Sequence, residues 1–135
     1  MTRQLDDHVL ISRQITPDEV AELQRQGVTM IVNNRPDHED EGQPLGADIE
    51  AAARDAGIAY RHVPIRRGMG PSDVEAMQQA MRQCGDGKLV AFCRTGNRSA
   101  LAWAVVRAEE GVPREELERN AAAVGIDLSP VAHLL

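Results

Sequence analysis

The stretch from Lys88 to Glu109 constrains the fold more than any other. Leu89-Val90-Ala91-Phe92 is a continuous apolar run, short enough for a strand buried on both faces. A short loop follows, Cys93-Arg94-Thr95-Gly96-Asn97-Arg98-Ser99, and then a helical pattern apolar on most sides through Leu101, Trp103, Ala104, Val105 and Val106. Such a helix must be covered by other elements rather than lie on a surface. A buried strand feeding a buried helix requires a sheet with helices against it.

The rest of the chain reads the same way. Val9 to Ser12 is a short strand, and Thr16-Pro17-Asp18-Glu19 is a capping box opening a helix that turns Val20, Leu23 and Ala21 inward and stops at Gly27. Val28 to Val32 is a buried strand ending on Asn33-Asn34-Arg35-Pro36, after which a polar loop runs to Gly46. A helix from Ala47 to Ala56, a strand from Ala59 to Val63 and a loop from Pro64 to Pro71 come next. Ser72-Asp73-Val74-Glu75 is read as a second capping box, with Val74, Met77, Ala80 and Met81 as the apolar stripe of its helix. After Glu109, Pro113 to Ala123 and a short segment from Ser129 are helical. The expectation is an α/β fold, one domain over residues 1–135, with a mainly parallel central sheet flanked by helices.

Composition narrows the function. Tyr60, Phe92 and Trp103 are the only aromatics, too few for a stacking platform for single-stranded nucleic acid. A net charge of −6 argues against nucleic-acid and anionic-membrane partners. No run reaches membrane-spanning length and no basic-then-apolar segment opens the chain, so a reduced, cytoplasmic setting is expected. Cys84 and Cys93 form no disulfide framework, and His8, His38, His62 and His133 have no ligand spacing, so neither metal nor cofactor is expected.

The chemistry converges on Cys93. A thiol at a strand end, facing backbone N–H groups and a helix start, ionises more readily, and the thiolate is its nucleophilic form. Gly96 lets the loop curl, Arg98 supplies a forked cation, and Ser99 is expected to cap the helix and hydrogen-bond the thiolate. Arg94, Thr95, Gly96, Asn97 and Ser99 are the candidate anion-binding residues of the loop, with Cys93 and Arg98 as catalytic candidates. Ligands of parallel sheets gather at the carboxyl ends of the strands, which adds Arg35, Arg66 and Arg67. Cys84 reads as a half-buried helix residue, with a resolving thiol as the minor alternative. His62 reads as a sheet-face residue, and His38-Glu39-Asp40-Glu41 as a solvated run, while Asp37 is a candidate for orienting an arginine.

The order Ile15-Thr16-Pro17, Val32-Asn33-Asn34-Arg35-Pro36-Asp37, Gly42-Gln43-Pro44 and Cys93-Arg94-Thr95-Gly96-Asn97-Arg98-Ser99 resembles the phosphatase-like domain of beta-lactamase-hydrolase-like proteins. The resemblance implies a fold like that of dual-specificity cysteine phosphatases. It also implies a metallo-beta-lactamase-like, persulfide dioxygenase-type partner linked to sulfide detoxification, fused in some family members. Cysteine phosphatases place five residues between Cys and Arg; here four, Arg94 to Asn97, intervene. That spacing resembles the active loop of rhodanese-type sulfurtransferases. The Pro64 to Gly70 loop, where the resemblance would place a proton-donating Asp, carries no carboxylate.

From these two departures the leading expectation is a sulfurtransferase. Cys93 would take sulfane sulfur from a small anionic donor such as thiosulfate or a persulfide, with a cysteine persulfide as intermediate. The alternative is a cysteine-dependent phosphatase acting on phosphotyrosine or a small phosphoester. A third is a non-catalytic, anion-binding partner of a metallo-beta-lactamase-like enzyme.

Overall fold

The computed structural model describes residues 1–135. Five strands form one sheet in the order β1-β2-β5-β3-β4. They are β1 (Thr2–Gln4), β2 (Val9–Ser12), β3 (Val28–Asn33), β4 (Ala59–His62) and β5 (Lys88–Phe92). β1 pairs antiparallel with β2, and all other pairings are parallel. The helices are α1 (Val20–Arg25), α2 (Gly46–Asp55), α3 (Pro71–Cys84), α4 (Asn97–Glu109) and α5 (Arg114–Ala123), with 3-10 turns at Pro17–Glu19 and Ser129–Leu134. No helix is long and apolar enough to cross a membrane.

Side-chain alternation along the central strands builds two cores. Leu89 and Ala91 of β5, with Met30 and Val32 of β3 and Val9 and Ile11 of β2, face a core closed by α3, α4 and α5. Val90 and Phe92, with Ile31 and Leu10, face the smaller core under α1 and α2. Continuous burial from Ser99 to Val106 confirms α4 as a central helix, and Trp103 is 1% exposed. The Trp103 indole N–H donates to Asp6 Oδ2 at 2.7 Å, which ties α4 to the β1–β2 turn.

Three local readings are corrected. β1 has no signal in the sequence: Thr2-Arg3-Gln4 is polar and half-exposed, and only pairing with Leu10, Ile11 and Ser12 makes it a strand. The second capping box starts earlier than Ser72. Pro71 is the first helical residue, and the Asp73 carboxylate accepts the Gly70 N–H at 2.8 Å. Ala21 points outward, leaving Val20 and Leu23 as the buried residues of α1.

Candidate active site

β5 lies in the middle of the sheet, so its carboxyl end opens where the loops after β3 and β4 also emerge. Cys93 is the first residue beyond β5 and is 1% exposed. The next turn needs a left-handed residue, and Gly96 supplies φ +99° as the N-cap of α4. This conformation turns the Gly96 N–H onto the Cys93 sulfur at 3.1 Å. On the outer side, Arg3 of β1 donates from Nη2 to the Thr95 carbonyl at 2.8 Å and from Nη1 to the Val124 carbonyl at 2.9 Å. Arg3 thus braces the loop from behind, a role that its place in a polar tripeptide does not signal. Arg94 and Thr95 on the loop and Asn97 at the start of α4 are exposed, and the Thr95 hydroxyl accepts the Asn97 N–H at 3.3 Å.

Arg98, in the first turn of α4, returns toward the loop. Its Nη1 donates to the Ile65 carbonyl at 2.9 Å and to Glu39 Oε2 at 2.7 Å, while Nη2 donates to Glu39 Oε1 at 2.8 Å. Glu39 is held down to about 2, first by the hydrogen bonds from Arg98, against the opposing cost of burial, and then by Arg35. Arg98 is raised in turn, chiefly by Glu39 and against partial burial, with the neighbouring Cys93 sulfur contributing. The run His38 to Glu41 is therefore not simply solvated. His38 takes φ +66°, a left-handed turn beside the two carboxylates that grip the site's arginines.

Arg35 is buried, 3% exposed, and each of its side-chain nitrogens has a partner. Nε meets Glu39 Oε1 at 2.9 Å, Nη1 meets Gln14 Oε1 at 3.0 Å, and Nη2 meets Asp40 Oδ2 at 2.6 Å. Asp40 also lies 3.3 Å from Arg94 Nε. Arg35 anchors its own loop, and the Asn34 to Gly46 segment reaches over to the arginines around Cys93. Asp37 orients no arginine: its Oδ1 accepts the Gly46 N–H at 2.8 Å, at the start of α2. His62 bonds through Nε2 to the Arg35 carbonyl at 2.9 Å, bracing the same loop from β4.

Ser99 departs from expectation. The helix starts at Asn97, so Ser99 lies inside it, and its buried hydroxyl donates to Asn34 Oδ1 at 2.7 Å. Asn34 in turn donates to the Val63 carbonyl at 3.0 Å, so one buried polar chain links α4 to the ends of β3 and β4. Arg66 and Arg67 are exposed beside a cavity of about 170 Å3 that also touches Arg98. Cys84 is not a resolving thiol for Cys93. It precedes the five-residue β5 while Cys93 follows it, roughly 17 Å away along the strand.

Residues 2–110 match the family described as Beta-lactamase hydrolase-like protein, phosphatase-like domain. The Beta-lactamase hydrolase-like protein of Xylella fastidiosa is 34% identical over 126 residues, which are 92% of this chain but 29% of that protein. The chain thus spans less than a third of the curated relatives it matches. A candidate phosphatase of known structure from Neisseria meningitidis is 36% identical, with a TM-score of 0.84, over 97% of this chain and 94% of its own. PTPMT1 shares the fold at 17% identity, with a TM-score of 0.75, over 99% of this chain and 91% of its own. These likenesses show a cysteine phosphatase-like fold around the short loop and give the leading sulfurtransferase expectation no support. With residues 2–110 matched, more than half of its length, the chain belongs to the phosphatase-like domain family of beta-lactamase hydrolase-like proteins.

Proposed function

We propose that the chain is a cysteine-dependent phosphatase acting on phosphate monoesters. The observation that carries this reading is the Cys93 sulfur against the Gly96 N–H, with Arg98 returning beside it at the end of the central strand. Cys93 would attack phosphorus as the thiolate. Loop N–H groups and Arg98 would hold the non-bridging oxygens and offset the charge that builds in the transition state. Glu39 and the Ile65 carbonyl occupy the Nη side of Arg98, and no carboxylate or carbonyl meets Nε. That Nε edge is a fork suited to two oxygens of a tetrahedral anion. The Neisseria relative is described as a candidate phosphatase, and PTPMT1 has been solved in complex with PI(5)P, a phosphoester. Both support a phosphoester as substrate here.

The test is mass spectrometry of the acid-quenched protein after incubation with an aryl phosphate. A phosphoryl adduct on Cys93, absent from Cys93→Ser, is the expected result. A sulfur adduct after thiosulfate, without any phosphoryl adduct, would restore the sulfurtransferase reading that the four-residue spacing favours. Phosphate binding without either adduct would leave an anion-binding module.

A further inference from the structure

A cysteine phosphatase ordinarily protonates the departing oxygen with a positioned carboxylic acid. The carboxyl groups that contact the arginines of the site, and Asp73 at the start of α3, are otherwise engaged. Glu39 is bound by Arg98 and Arg35, Asp40 by Arg35 and Arg94, and Asp73 is turned onto the Gly70 N–H at the start of α3. Glu39, held down to about 2, has no proton to give near neutrality.

What the site does offer is positive charge. Next to Arg98 lies the cavity of about 170 Å3, with Ile65, Met69 and Leu101 in its walls and Arg66 and Arg67 alongside. Both arginines are exposed, and the ion pairs of the protein engage neither. The cavity is smaller than the roughly 300–1,000 Å3 of sites for drug-sized ligands, so it suits one ring or a short acyl group. Apolar walls with cations beside them fit a small group that leaves carrying negative charge.

We infer that the leaving group departs as an anion into this arginine-flanked cavity, which selects phosphate derivatives of acidic hydroxyls, namely aryl and acyl phosphates. The inference rests on the phosphatase reading above. In the first step the Cys93 S–P bond forms as the P–O bond breaks, and the electron pair leaves on the aryl or acyl oxygen. That anion is stabilised by Arg66 and Arg67 and takes any proton from water. In the second step water forms a new P–O bond as the S–P bond breaks, its proton passes to solvent, and inorganic phosphate leaves the regenerated thiolate.

The test is kcat/KM across phenyl phosphates of graded phenol acidity, with acetyl phosphate and inositol phosphate as the acidic and alkyl extremes. A positioned acid is worth about 10²–10⁴-fold, so inositol phosphate is expected to fall behind nitrophenyl phosphate by at least about that factor. Arg66→Ala/Arg67→Ala is expected to lower kcat/KM across the series while Cys93 is still phosphorylated. A flat dependence on phenol acidity, with phosphocysteine formed, overturns the leaving-group inference and leaves the phosphatase reading standing. Unchanged kcat/KM in the double variant overturns the assignment of the cavity. No phosphocysteine from nitrophenyl or acetyl phosphate overturns the phosphatase reading and this inference together.

Discussion

Glu39 meets Arg98 end-on, its two carboxylate oxygens 2.7 and 2.8 Å from the two terminal guanidinium nitrogens. This contact fixes the direction of the α4 cation that returns to the cysteine loop, and Arg35 Nε holds the same carboxylate. Glu39→Gln keeps the size of the side chain and removes the charge. With the Glu39 side chain 29% exposed, solvent weakens the pair, and the loss is expected to be about 1 kcal/mol of stability. The inhibition constant of inorganic phosphate checks the orienting role. It should rise in Glu39→Gln as Arg98 loses its set direction; a fall would mean that Glu39 competes with the anion.

The same pair makes stability sensitive to acid. Glu39 is depressed from its ordinary 4.5 to about 2, so its contribution is complete above about pH 4.5 and is lost as pH falls toward 2. Glu19 behaves alike: held down to about 2 chiefly by Arg13, against burial, it loses its share in the same window. Denaturant midpoints from pH 6 down to pH 2 should therefore decline below about pH 4.5, more gently in Glu39→Gln and again in Glu19→Gln. Parallel curves for wild type and Glu39→Gln would show that the Arg98 contact does not distinguish folded from unfolded chain.

Much of this architecture was legible because it follows from periodicity. Leu89 to Phe92, Val28 to Val32 and the apolar girth from Leu101 to Val106 each had one way to be buried, and the sheet with its two cores followed. Cys93, Gly96 and Arg98 were legible because strand, glycine and helix lie within a few residues of one another. Long-range polar contacts were not. Nothing local shows that Glu39 reaches Arg98, 59 positions away, or that Arg3 reaches Thr95, 92 away. A run of acidic residues looks solvated until the arginines across the sheet are in place. Ser99 misled in the opposite sense: helix caps are common for serine, but here Gly96 takes that position and turns Ser99 inward.

The inward Ser99 yields a prediction that separates stability from chemistry. Its hydroxyl satisfies Asn34 Oδ1 in a region where both residues are 0% exposed. Ser99→Ala leaves that carbonyl oxygen without a donor, at a cost of about 1–3 kcal/mol. Urea denaturation should show the loss, whereas the alkylation rate of Cys93 measured under folding conditions should stay close to wild type. A large drop in Cys93 reactivity at unchanged stability would return Ser99 to the role of thiolate partner.

Gly96 and Arg3 test the loop from its outer side. At φ +99° a side chain is strained, and a β-carbon on Gly96 would lie 2.6 Å from Arg3 Nη2. Gly96→Ala therefore carries a backbone cost of about 1–3 kcal/mol and also displaces the guanidinium that holds the Thr95 carbonyl. Arg3→Ala alone removes the brace and leaves the backbone geometry of Gly96 available. Because the added methyl and the guanidinium compete for one space, the two substitutions should be less than additive in a double-mutant cycle. Adding Arg3→Ala to Gly96→Ala should then cost less than adding it to wild type. Strict additivity would assign the whole cost of Gly96→Ala to the backbone and show that the added methyl leaves the Arg3 brace in place.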